Sequence, residues 1–321
     1  MNRKETWTKI RRGIKYPVLI FFIRLFIITL RFFPRRGVEI VFASLARAAF
    51  FIDRKDKKRT IDTLTFIYGK EKTSQQIKQM AREVFINQAL NFADYLNVLH
   101  WKTRKQFSKM VDFVGEEHLR KAYDQNKGVL CLMMHTGSWE LSAIMPPIMG
   151  YETTAVSKAM RNPKIDQLIV EARESRGMKN IARGKSYPKI LESLAKGECM
   201  IIMIDQDTKV KGVFVDFFGR QAYTPDGAAR IALDTHAPVL LMYMQRVENH
   251  RHRFTILPEI PLVETGDREF DLYENTRIYT QKMEEVIREI PTQWVWMHER
   301  WKTTPEDVEQ YLAWKNKVKK L

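Results

Sequence analysis

From about residue 115 onward, short apolar runs alternate with segments of helical period, and this alternation restricts the fold more than any other property of the chain. "EEHLRKAYDQN" reads as a helix, "GVLCLMM" as a buried strand, "WELSAIMPPIM" as a helix broken near its prolines, and "TTAVS" as a strand. "NPKIDQLIVEARESRG" has Asn162 at a helix cap, Pro163 in the first turn and Gly177 past the end, a coherent set of start and stop signals. "YPKILESLAKGE" is a further helix and "CMIIMI" a further strand. Strands and helices in alternation imply βαβ units, and so an α/β fold with a mostly parallel sheet covered on both faces. The 321 residues are 45% hydrophobic, with no Gly-, Pro- or Ser-rich linker and no internal repeat, enough to bury a sizeable core.

In open α/β sheets the ligand crevice lies beyond the carboxyl ends of the strands. His135 follows "GVLCLMM", Lys158 follows "TTAVS", and Asp205 with Asp207 follows "CMIIMI", so three strand ends should bring ionisable residues to one edge. His135 and Glu140 are five residues apart, a difference of roughly 140° on a regular helix, so they cannot pair on one helix face. They can pair if His135 ends the strand, "TGS" turns, Ser138 caps a helix and Glu140 sits in its first turn near the positive end. A carboxylate holding one imidazole nitrogen leaves the other free as a base. A structural histidine beside a capping glutamate fits the same spacing. Cys131 and Cys199 each lie inside an apolar run and read as reduced packing residues, with no metal-ligand spacing.

The formal net charge of +16 suits nucleic acid, an anionic membrane surface or an acidic protein partner. The amino terminus selects among these. "YPVLIFFIRLFIITL" is strongly apolar, but Arg24 interrupts it and it falls short of the roughly 20 residues that span a bilayer. Lys9, Arg11, Arg12 and Lys15 precede it, and Arg31, Arg35 and Arg36 follow. Basic flanks on both sides favour a helix lying in the interface over a single span with Arg24 snorkelling. No small-residue cleavage site follows, which argues against a signal peptide. "VEIVFASLARAAFFI" would complete a helical hairpin on the membrane, giving a membrane-anchoring segment over 1–52 and a second unit over 53–321. Lipid headgroups then account for the cations, so no nucleic-acid partner is expected. "TSQQIKQMAREVFINQALNFADYLNVL" reads as a long amphipathic helix capped at Thr73 or Ser74.

"HTGSWE" resembles the HX4D/E motif of lysophospholipid and glycerolipid acyltransferases. With "DQDTKVKGVFVDFFGRQAYTPDGAARIA" and "PTQWVWMHERWKT", the chain is similar to the bacterial lipid A biosynthesis acyltransferases, the lauroyl- and myristoyltransferase family of lipopolysaccharide assembly. "KAMRNPKIDQLIVEARESRG" also follows the family's pattern, and the likeness runs from the anchor to about residue 305. It departs where "DTKVKG" is richer in lysine and where "RTIDTLTFIYG" lacks an asparagine-containing pattern.

The resemblance implies a glycerolipid-acyltransferase-like fold at the cytoplasmic face of a bacterial inner membrane. It implies that His135 is the general base with Glu140 as its partner, and that Arg173 and Asp205 belong to the active site. No tightly bound cofactor or metal is implied. The co-substrate is an acyl-carrier-protein or coenzyme A thioester, and the acceptor a glycolipid, with a lipid A precursor ahead of a lysophospholipid or other saccharolipid. An acidic acyl carrier protein would be drawn to the positive surface. Lys158 and Arg161 are candidates for binding phosphates of acceptor or donor, and Asp207 for anchoring the loop. A rival of another class is a metal-dependent glycosyl- or phosphotransferase using Asp205 and Asp207 as a DxD pair. Phe217 and Phe218 suit an acyl groove or loop packing; Trp294, Trp296 and Trp301 suit an interfacial belt or tertiary packing, with His298 structural.

Overall fold

The structure is a computed structural model, and it describes residues 25–309 apart from 27, 31, 161, 185 and 209. Arg161, Arg24, Arg31 and the cations before residue 16 therefore lie outside the described residues, as does most of the first apolar stretch. Helices α1 (Arg35–Ile52), α2 (Arg54–Tyr68) and α3 (Ser74–Asn97) come first. Then follow α4 (Arg104–Phe107), β1 (Val111–Val114), α5 (Glu116–Tyr123), β2 (Val129–Met133), α6 (Trp139–Ile148), β3 (Thr153–Ser157), α7 (Pro163–Glu174), β4 (Met178–Ala182), α8 (Tyr187–Ala195) and β5 (Cys199–Met203). The hairpin β6 (Gly212–Phe217) and β7 (Arg220–Pro225) leads to α9 (Gly227–Thr235), β8 (Val239–Arg246), β9 (His252–Ile256) and α10 (Arg268–Glu289).

Seven strands form one sheet in the order β1-β9-β8-β2-β5-β3-β4, parallel throughout except for the antiparallel pair β8–β9. All five residues of β2 are buried, as expected for a central parallel strand covered on both faces. Its alternate side chains feed two cores: Leu130 and Leu132 join the layer with α8, α9 and α10, while Val129, Cys131 and Met133 join the layer with α5 and α6. Helix α3 starts with a full capping box, Thr73 accepting from the Gln76 N–H and the Gln76 side chain accepting in return. Asn162 caps α7 by accepting from the Lys164 N–H, with Pro163 in the first turn.

One local expectation holds and one changes. Helix α6 ends at Ile148, one residue past Pro147, a break near its prolines. Both prolines fall in its last turn, so their missing N–H groups leave most of the ladder intact. Ser138 does occupy the cap position, but its hydroxyl donates to the Asn91 carbonyl at 3.4 Å instead of capping the helix. No helix among the described residues is long and apolar enough to cross a membrane. Helix α1 packs its Val38, Ala43, Ala46 and Phe50 inward and leaves Ile40, Val41, Leu45, Phe51 and Ile52 at 56–79% exposure.

Candidate active site

Strands β2 and β5 are hydrogen-bonded neighbours in the register Val129↔Cys199 to Met133↔Met203. Carried two residues past the strand ends, that register sets His135 opposite Asp205. The contact is tight: the His135 Nδ1 lies 2.8 Å from Asp205 Oδ1, and the His135 backbone N–H donates to Asp205 Oδ2 at 2.7 Å. The Trp294 indole N–H donates to the same Oδ2 at 2.9 Å. Asp205 is 2% exposed, and the imidazole in front of it keeps 21% of its surface open.

This replaces the expected bond between His135 and Glu140. Glu140, in the first turn of α6, receives Arg173 from the last turn of α7. Arg173 Nη2 lies 2.8 Å from Glu140 Oε1 and 3.1 Å from Oε2, and its Nε lies 3.3 Å from Oε2. The turn from β2 into α6 carries Glu140 toward α7, whereas strand pairing delivers Asp205 to the imidazole. Both acids still act on the histidine. Burial alone would lower the His135 pKa, but the charge and hydrogen bond of Asp205, then the charge of Glu140, outweigh it and raise it above the ordinary value. For Asp205, burial works upward, and the His135 charge together with the ring, backbone and Trp294 hydrogen bonds carries the net shift downward. An ionised Asp205 accepts from Nδ1–H, which leaves Nε2 as the lone-pair nitrogen.

Gly137 makes the turn possible. Its φ is +50°, and a Cβ there would stand 1.9 Å from the Met244 carbonyl oxygen. Its N–H donates to the Gln293 carbonyl at 3.0 Å, so the segment after α10 clasps the loop that holds the imidazole.

A cleft of about 640 Å³ opens beyond the ends of β2, β5, β3 and β4, with His135, Glu140, Arg173 and Lys158 on its wall. Much of the remaining wall is apolar, including Trp139, Val156, Ile169, Val170, Ile202 and Ile231. Trp139 stands against the imidazole, ring centroids 5.7 Å apart. Lys158, after β3, is exposed at this edge as expected.

Asp207 turns away from Asp205. It accepts from the Thr303 N–H at 2.7 Å and hydroxyl at 2.9 Å, and its own N–H donates to His298 Nε2 at 2.9 Å. The two aspartates thus face different protein donors, which does not suit a shared metal in the DxD sense, and Asp207 is the loop anchor. Among the described residues no group of three or more His, Cys, Asp or Glu could hold a metal ion. Trp294 and Trp296 are 0% exposed, which corrects the interfacial-belt alternative for both. Phe217 and Phe218 are also buried, Phe217 packing on Trp294 at 5.6 Å and Trp301 at 5.7 Å, so they are loop packing and not an acyl groove. Cys131 is fully buried in mid-β2, and burial pushes its thiol pKa well above the usual range, unlike a nucleophile. The role of Trp294 at Asp205 had no local signal in the sequence, because 89 residues separate the two.

Comparison with known proteins adds a family. The family model described as bacterial lipid A biosynthesis acyltransferase matches residues 8–303. The chain is 26% identical over 212 residues to a lipid A biosynthesis acyltransferase of Haemophilus influenzae, covering 65% of each chain. It is 26% identical over 246 residues to the lipid A biosynthesis lauroyltransferase of Escherichia coli, covering 74% of this chain and 76% of that one. It is also 26% identical over 136 residues to a phosphatidylinositol mannoside acyltransferase of Mycolicibacterium smegmatis, covering 41% of this chain and 45% of that one. The match thus spans less than two thirds of the Haemophilus and Mycolicibacterium proteins.

Proposed function

The chain belongs to the bacterial lipid A biosynthesis acyltransferase family, and from that premise we propose that it moves a fatty acyl chain from a thioester to a hydroxyl of a glycolipid. The observation that carries this reading is the His135–Asp205 pair at the wall of a largely apolar cleft. The acceptor hydroxyl donates to His135 Nε2 and loses its proton as its oxygen attacks the thioester carbonyl carbon. The tetrahedral oxyanion collapses, the C–S bond breaks, and the imidazolium returns the proton to the leaving thiolate. Asp205 holds the Nδ1 proton and stabilises the imidazolium throughout. Glu140 adds its charge to the histidine's basicity and fixes Arg173, whose positive charge on the cleft wall meets the developing oxyanion. No acyl-enzyme is needed.

A lipid A precursor is the first acceptor to test, because lipid A acyltransferases are among the relatives. A phosphatidylinositol mannoside is the second, on the strength of the mycobacterial relatives. The donor is an acyl-carrier-protein or coenzyme A thioester, and the net charge of +16 favours the acidic carrier protein. The exposed apolar face of α1 and the basic amino-terminal flanks support docking at the cytoplasmic face of an inner membrane. Lys158 at the cleft mouth is a phosphate contact for donor or acceptor.

The test is acyl transfer in detergent, with both thioesters and both acceptors, followed by mass spectrometry of the lipid product. Wild-type protein should acylate one glycolipid, unaffected by chelator, and His135→Ala should lose about 10²–10⁴-fold in kcat while still unfolding cooperatively. Thioester left unconsumed with every glycolipid, or full turnover by His135→Ala, would overturn the reading.

A further inference from the structure

The block "PTQWVWMHERWKT" lies outside the chemistry just described, yet it touches its centre. Trp294 forms an isolated antiparallel bridge with Thr136, next to His135, and the preceding Gln293 carbonyl accepts from the Gly137 N–H. Its indole is fully buried, held edge-on between Trp296 at 4.7 Å and Phe217 at 5.6 Å. That clamp aims the indole N–H at Asp205 Oδ2, which also receives the His135 backbone N–H. Two donors converging on one oxygen fix the plane of the carboxylate. The other oxygen, Oδ1, is then presented to the imidazole Nδ1.

We infer that Trp294 is a positioning residue for the acyl-transfer reaction: its indole N–H orients Asp205 and thereby sets the basicity of His135. The inference rests on His135 being the base. Without the indole donor, Oδ2 retains only the backbone N–H, and the carboxylate can rotate about its Cα-side bonds. A carboxylate with one donor fewer is also a stronger acceptor, so it holds the imidazolium proton more tightly. Removal of the donor should therefore lower kcat and move the acid limb of the kcat/KM profile to higher pH, with KM for thioester and glycolipid little changed.

Trp296 supplies the control. It belongs to the same aromatic cluster, but its indole N–H donates to the Pro291 carbonyl, away from Asp205. Trp294→Phe and Trp296→Phe remove similar ring volume from one cluster, and only the first removes a donor from Asp205. We expect Trp294→Phe to lose about 10- to 100-fold in kcat with KM within about twofold, and its acid limb to shift upward. Trp296→Phe should keep the wild-type pH profile.

A spectroscopic arm needs no substrate and covers the case in which Trp294→Phe does not fold. In 15N-labelled Trp139→Phe protein, which lacks the other indole beside the imidazole, one of the six remaining indole N–H resonances should titrate with the midpoint of the acid limb and lose that titration when His135→Gln is added. Equal pH profiles for the two Phe variants, or no indole resonance coupled to the histidine, would overturn the inference. If His135→Ala keeps full turnover, the reading of the base itself has failed. If His135→Ala is inactive and Trp294→Phe behaves as Trp296→Phe, only the role of Trp294 falls.

Discussion

Among the described residues, two aspartate–histidine pairs with a buried aspartate have opposite fates. At the cleft, Asp205 holds His135, whose ring is 21% exposed and whose pKa is raised. Beneath α1, Asp94 on α3 holds His252 Nε2 at 2.8 Å, and both side chains are 0% exposed. Asp94 also receives Arg35 from α1, at 2.8 Å, and Arg246 from the end of β8. Burial lowers the His252 pKa, and the two guanidiniums oppose Asp94's upward pull, so the net shift is downward. Asp205 serves one imidazole and two neutral N–H donors; Asp94 is shared among three groups that are or can become cationic. The same chemical pair is thus a poised base where one charge faces a cleft, and a strut where several charges are sealed together.

The largest effect should come from Asp205→Asn. An amide cannot stabilise the imidazolium and can select the wrong tautomer, so kcat should fall by about 10³–10⁴-fold. In the residual activity the acid limb should move to lower pH, because the stronger of the two acids that raise the His135 pKa is gone and burial remains. A loss below tenfold would erase the contrast between the two pairs. Asp94→Ala should instead act on stability. It strands His252 without its acid and leaves Arg246 only Glu39, 3.7 Å away, and denaturant unfolding should show a loss of about 3–5 kcal/mol, with turnover per folded molecule within about tenfold of wild type. Glu140→Gln is intermediate. It removes one acid that raises the His135 pKa and loosens the bidentate hold on Arg173, so kcat/KM should drop about 10–100-fold.

That contrast was only half legible in the sequence. Apolar runs such as "GVLCLMM" and "CMIIMI" reveal strands because strands buried on both faces must be apolar throughout, and the rule for strand ends then places His135, Lys158 and Asp205 on one edge. The imidazole's partner was not legible. A reading of neighbours favours Glu140, five residues on, but the partner is set by register between β2 and β5, which pair across an offset of 70 residues with β3 and β4 between them in the chain. Asp94 gives still less warning. In "NFADYLNVL" it looks like one polar position of an amphipathic helix, and its cations come from 59 residues before it and 152 after it. Trp294 resembles a membrane-facing aromatic until its indole is seen at Asp205. Caps and periods are local and can be read; charge pairing across strands and layers is not.

The smallest effect tests the comparison through pH. His135 has a raised folded-state pKa, so it contributes stability that is present below its unfolded value near 6.5 and is lost as pH rises through the folded value. His252 has a lowered one, so it contributes stability that is present above the unfolded value and is lost as pH falls through the folded value. Melting temperatures of wild type, His135→Gln and His252→Gln from mildly acidic to mildly alkaline pH should therefore diverge in opposite senses, His135 acting above about 6.5 and His252 below it. The deficit of His135→Gln relative to wild type should grow on acidification, and that of His252→Gln should shrink, each by about 2–4 °C or less. Parallel deficits at every pH would mean that the two histidines titrate alike, and that the charges around Asp94 do not distinguish a strut from a base.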